Sequence, residues 1–155
     1  MLEVELGSYE DIQSGEAASL FVDHFCEVRE HSDVGLVKCD PSWPYYKNLQ
    51  DADALRVWLA RYDGEVVGYC VMVLLPHPHS QMQEMMWSDS LYVAPRKRST
   101  GAGLALIAAA EQEADEFGFN ILWSVPACTA VDAIMARRKT YRPAMSMYLR
   151  KAQWQ

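Results

Sequence analysis

The run Glu65 to Leu75, EVVGYCVMVLL, constrains the fold of this chain more than any other segment. Behind its first residue it is almost wholly apolar, and an extended segment without a polar side must be covered by protein on both faces. It is therefore predicted as a central strand. Asp63-Gly64 just before it supplies the positive φ values of a tight turn, which makes Leu55 to Tyr62 its hairpin partner. Around this hairpin the pattern alternates between strand and helix periods, without internal repeats or low-complexity tracts. Leu2 to Leu6 alternates apolar and acidic residues, as a half-buried strand does. Ser14 and Glu16 open a helical pattern in which Ala17, Leu20, Phe21, His24 and Val28 share one face. His24 on that face reads either as a packed core histidine or as part of a substrate cleft.

Cys39 to Asp53 carries Pro41 and Pro44, so it is expected as a loop, with room for a short helix after it. Its Trp43, Tyr45 and Tyr46 either line a small-molecule cleft or pack over an edge of the core. A loop rich in Pro and His follows Leu75, and a further strand runs from about Glu84 to Val93, ended by Pro95. His77 and His79 lack nearby Cys or carboxylate partners at ligand spacing, so they read as solvated loop residues and no metal is expected. Thr100 to Phe117 is the clearest helix, with Gly103, Leu106, Ile107, Ala110, Ala114 and Phe117 on one stripe and Gly118 as its stop. Phe119 to Val125 then reads as a strand parallel to the one before that helix. Thr129 to Arg138 is expected as a short helix and Ala144 to Lys151 as a last strand. These elements make a mixed α/β sheet.

At 155 residues and 50% hydrophobic content, the chain suits one core, so residues 1–155 are expected to form a single domain. No run approaches the ~20 apolar residues of a membrane span. The acidic start MLEVELGSYED lacks a basic-then-apolar leader. Cys26, Cys39, Cys70 and Cys128 are scattered without a CxxC pair, which points to reduced thiols and a cytoplasmic setting. The formal charge of −7 argues against nucleic acid as a partner and suits an amine-bearing one.

The chemistry concentrates in SLYVAPRKRSTGAG, residues 90–103. A strand ends at Val93, Arg96, Lys97 and Arg98 form a basic turn, and Gly101 and Gly103 open a helix. Such a start presents unpaired N–H groups and the positive end of a dipole, and glycines let phosphate oxygens approach the backbone. The P-loop spacing is absent, and the dinucleotide GxGxxG pattern fails at Leu106. What remains is Arg98-x-x-Gly101-x-Gly103, an anion cradle that a nucleotide phosphate could also use.

That pattern, following Leu91-Tyr92-Val93-Ala94-Pro95, resembles the pyrophosphate loop of the GNAT superfamily of N-acetyltransferases. The motif match is local, from Ser90 to Phe119, while the order of elements agrees over nearly the whole chain. The resemblance implies a central, mostly antiparallel mixed sheet with a splayed parallel strand pair, flanked by helices. It implies acetyl-CoA as cosubstrate, with its pyrophosphate on Arg98, Ser99, Thr100, Gly101, Ala102 and Gly103 and its pantetheine arm beside Leu91, Tyr92 and Val93. It implies direct acetyl transfer to a primary amine, on a small molecule or a protein, in a ternary complex, and it admits a homodimer. The candidate general bases are Asp89 and Glu84, which strict alternation puts on opposite faces of the strand unless a bulge shifts the parity; Asp89 is nearer the expected acetyl position. The family's closing motif is degraded: aligning Thr140-Tyr141 with its Gly-aromatic pair leaves Ala136 where a tyrosine acid is usual, with Tyr141 or Tyr148 as substitutes. The rival expectation is a catalytically weak GNAT-like module that binds CoA as a sensor or interaction domain.

Overall fold

Alternation along the two hairpin strands sorts the apolar residues into two layers. In β2 (Leu55–Tyr62), Leu55, Val57 and Leu59 face one side and Trp58 and Ala60 the other; in β3 (Glu65–His77), Tyr69, Val71 and Val73 oppose Cys70 and Met72. All ten are buried, so the predicted central strand is indeed covered on both faces. The computed structural model describes residues 1–31, 38–77 and 79–144. Its sheet has the order β1-β2-β3-β4-β5, with β1 at Leu2–Gly7, β4 at Ser80–Val93 and β5 at Asn120–Leu122. Pairing is antiparallel from β1 to β4, and β5 lies parallel to β4. Helices α1 (Tyr9–Gln13), α2 (Ala18–His31) and α3 (Trp43–Asp51) pack on the Tyr69 side, and α4 (Ala102–Phe117) covers the Cys70 side. Helix α5 (Ala130–Arg137) follows β5.

Several boundaries differ from expectation, each for a local reason. Ser14 does not open a helix but ends α1, whose own start is fixed where the Ser8 N–H and hydroxyl both donate to Asp11 Oδ2, at 2.8 and 3.0 Å. Much of the expected loop around Pro44 is helix, because a proline in the first turn gives up an N–H that has no helical acceptor there. The Pro- and His-rich loop is shorter than expected: β3 continues to His77, β4 starts at Ser80, and the register shifts at Pro76/His77. Thr129 caps α5 as the sequence suggests, accepting from the Asp132 N–H. Strand β5 pairs over three residues only, fewer than the expected Phe119 to Val125. The expected last strand, Ala144 to Lys151, lies outside the described residues from its second residue on, as does Tyr148. No described helix is long and apolar enough to cross a membrane, and Cys26, Cys39, Cys70 and Cys128 are free thiols.

Candidate functional site

Two features of β4 build the site. The first is a bulge: Val71 of β3 pairs with Ser90 and Met72 with Ser88, so Asp89 is an extra residue without a partner. The second is the end of the parallel ladder. Strand β5 matches β4 only at Met85, Met86 and Trp87, and from Ser88 onward the strands splay apart. There the Ser124 N–H is held by the Ser88 hydroxyl at 2.7 Å in place of a backbone carbonyl. The bulge thus sits at the mouth of the gap.

Beyond Val93 a 3-10 turn, Pro95–Thr100, leads to Gly101, whose φ of +87° lies in the left-handed region that favours glycine. The Thr100 hydroxyl donates to the Lys97 carbonyl at 2.7 Å, and the first α-helical bond runs from Ala105 N–H to the Gly101 carbonyl. The N–H groups of Ala102, Gly103 and Leu104 therefore have no acceptor within the helix. A Cβ added at Gly101 or Gly103 would meet only one side-chain atom, at 3.9 or 3.7 Å, so the chain itself leaves the space above this helix start open. A pyrophosphate fits such a cradle.

The three basic side chains do not point together into that space. Arg96 and Lys97 pair with Glu65, and Lys97 also lies over the Tyr62 ring, 4.7 Å from its centroid. Arg98 folds back: its Nε donates to the Val93 carbonyl at 3.0 Å, its Nη2 to Glu27 of α2 at 2.5 Å, and its guanidinium sits 5.7 Å from the Tyr92 ring. The expected pooled positive charge is instead shared with two carboxylates. Leu91 and Val93 pack towards α4, whereas Tyr92 is buried on the other face, stacked on His24 at 4.9 Å.

Around Asp89 the surroundings come from four elements. Tyr46 of α3 donates its hydroxyl to Asp89 Oδ2 at 3.0 Å. Trp43, Tyr45 and Tyr46 have neighbouring rings 5.8 Å apart, and Trp43 reaches Phe21 of α2 at 5.5 Å. Behind them, the fully buried Tyr69 hydroxyl meets His24 Nδ1 at 2.8 Å. Crowding by protein raises the Asp89 carboxyl above its ordinary range, and the Tyr46 hydrogen bond, with the Ser90 hydroxyl nearby, offsets part of the rise. Asp89 nevertheless keeps a solvent-accessible edge. The Ser90 hydroxyl is buried close enough to influence both Asp89 and Tyr69, yet it makes no hydrogen bond of ordinary geometry among the described residues. Burial, and then the nearby Asp89 charge, push the Tyr46 and Tyr69 hydroxyls upward, while burial lowers His24. Among the described residues no basic side chain pairs with Asp89.

Glu84 does not join this group. Two residues before Met86, it lies on the same face of β4, the α4 side, and five residues from Asp89, roughly 16 Å along an extended strand. Tyr141 is elsewhere again: its hydroxyl donates to Glu111 at 2.7 Å and accepts from the Trp123 indole at 3.0 Å, and burial with the Glu111 contact pushes its pKa up to about 12. With Ala136, Trp87, Leu122 and Met135 it lines a cavity of about 670 Å³ beside the splay. A second cavity of about 640 Å³, between β1, β2 and α4, shares none of these residues. The contacts from Tyr46 to Asp89 and from His24 to Tyr69 are not legible in the sequence, although Tyr46 and His24 had each stood out there.

Comparison with known proteins follows this geometry. The model of the acetyltransferase (GNAT) family matches residues 21–141. No curated protein matches the chain. Among solved structures, an aminoglycoside acetyltransferase from an uncultured soil metagenomic sample superposes with a TM-score of 0.71 at 18% identity, over 98% of this chain and 97% of that one. A ribosomal-protein-alanine N-acetyltransferase from Brucella melitensis biovar Abortus 2308 gives 0.67 at 21%, over 99% and 100%. The enzyme AAC(6')-Iy, solved with a bisubstrate analog joining CoA to acetylneamine, gives 0.64 at 14%, over 99% of both chains. At these identities the likeness is one of fold.

Proposed function

The chain belongs to the GNAT family of acetyltransferases, and from that premise we propose that it moves the acetyl group of acetyl-CoA directly onto a primary amine met at Asp89. The observation that carries this reading is the bulge: a carboxylate without a cationic partner among the described residues stands where β4 and β5 separate. A cationic amine completes that charge.

Acetyl-CoA supplies an activated acyl thioester. The N–H groups at the start of α4 would hold its pyrophosphate, with Gly101 and Gly103 leaving the approach open. The unpaired edge of β4 from Ser88 to Val93 would bind the pantetheine arm, and a backbone N–H near the bulge would serve the thioester oxygen. Asp89 takes a proton from the ammonium form of the acceptor, leaving the nitrogen lone pair free to attack. Its raised pKa brings it closer to the working pH, where a general base is most effective. Trp43, Tyr45 and Tyr46 form the acceptor's wall, which suits a small cationic amine better than a protein terminus. The Tyr141 proton is committed to Glu111, so the leaving thiolate, with a free-thiol pKa near ~8.5, is protonated by solvent.

A second reading has one observation behind it. Ala136, whose side chain carries no proton donor, lines the cavity beside the splay, and Tyr141 is tied down, which fits a module that binds CoA and turns it over poorly. Thiol release from acetyl-CoA over a panel of amines separates the two: amine-dependent release supports the transferase, and binding without release supports the module.

A further inference from the structure

Helix α3 is fixed to the rest of the fold independently of Asp89. Gln50 accepts from the Tyr9 N–H at 2.9 Å and donates to Glu10 at 3.2 Å, which pins α3 to α1. Tyr46, one turn earlier, is further held between the Trp43 and Tyr45 rings. The hydroxyl that meets Asp89 Oδ2 is therefore delivered by a rigid element, and it fills one of the two oxygens of a bulge residue that has no strand partner to orient it. We propose that Tyr46 is the positioning residue of the acceptor site, holding Oδ2 of Asp89 so that Oδ1 alone meets the incoming amine. The inference rests on Asp89 being the base.

In the step itself an N–H bond of the ammonium breaks and an O–H bond forms at Oδ1, while the Tyr46 proton stays shared with Oδ2. The nitrogen lone pair then forms the bond to the acetyl carbon as the C–S bond breaks towards the CoA thiolate, and the second N–H proton, which the amide must lose, passes through solvent to that thiolate. The groups facing Asp89 are Tyr46 from α3, Tyr69 and Cys70 from β3 and Ser90 from β4, with His24 of α2 behind Tyr69. All except Asp89 are uncharged at neutral pH, so the Tyr46 hydroxyl is a main stabiliser of the anion.

The test is the pH dependence of kcat/KM for a primary amine in the parent, Tyr46→Phe and Asp89→Asn proteins, with acetyl-CoA saturating. Phenylalanine keeps the ring packing, so the fold should persist, checked by an unchanged Tm. Loss of the donor destabilises the carboxylate, so the acid limb of Tyr46→Phe should move to higher pH by about half a unit or more. Its kcat should fall several-fold and its KM for acetyl-CoA should hold. A superimposable profile for Tyr46→Phe, beside a disabled Asp89→Asn, overturns the positioning role and leaves the base in place. A fully active Asp89→Asn overturns both.

Discussion

The proposed donor end and acceptor end of this site are built in opposite ways. The donor end is one continuous piece of chain, residues 91–103, in which strand, basic turn and helix start follow each other. The acceptor end gathers His24, Tyr46, Tyr69 and Asp89 from four elements, through contacts between residues as many as 45 positions apart in sequence. Their charges differ as well. At the donor end three cations face two carboxylates of the same chain, whereas among the described residues Asp89 has no charged side-chain partner and accepts from the Tyr46 hydroxyl. On the proposed reading, the cradle relies on backbone N–H groups more than on its arginines, and the acceptor end keeps a charge for its ligand that no basic side chain among the described residues compensates.

The largest expected effect breaks the donor end. Gly101→Asp places a side chain and a negative charge on a residue with φ of +87°, so the rise in Tm that acetyl-CoA gives the parent should vanish. Retention of the full rise would move the cradle elsewhere. Asp89→Asn breaks the acceptor end: turnover at neutral pH should fall ~10²-fold with acetyl-CoA affinity unchanged. Stability should go the other way. Because crowding raises the folded-state pKa of Asp89, its favourable contribution belongs to the protonated form and is lost as pH rises through that pKa. Removing the charge should leave the Tm at neutral pH level or higher, and a clear drop would mean that the carboxylate is structural.

A third substitution strikes the strand that joins both ends. A Cβ at Gly68 would lie 2.7 Å from the Tyr92 carbonyl oxygen and 2.9 Å from Val93 Cγ2. Gly68→Ala should therefore cost about 1–3 kcal/mol in denaturant unfolding and weaken acetyl-CoA binding with it. Neutral stability would show that β4 can shift freely. The smallest effect sharpens the electrostatic contrast. Glu27→Gln releases Arg98 from an exposed ion pair and removes a negative charge near the cradle, so acetyl-CoA should bind a few-fold tighter at low salt. Weaker binding would show that Glu27 aims Arg98 at the ligand.

How much could be read in advance follows from the same contrast. The donor end was legible because its meaning is local: a strand, a glycine at a left-handed corner and a helix start lie within one short segment. The central hairpin was legible because a strand with no polar face has few alternatives. Asp89 was singled out, and the bulge at it was raised only as a condition, since parity slips depend on pairing with β3. Tyr46 lay in a segment taken for a loop on the strength of Pro44, although a proline in the first turn is compatible with a helix. The partners of the basic turn were not legible either: Glu27 and Glu65, distant in sequence, pair with its side chains.

One measurement tests the central claim most directly: CoA thiol release by the parent and by Asp89→Asn, at neutral pH, with saturating acetyl-CoA and a panel of primary amines. The account predicts release by the parent only when an amine is present, and ~10²-fold slower release by Asp89→Asn with acetyl-CoA still bound. Bound acetyl-CoA without release for any amine, or equal rates for the two proteins, would contradict it.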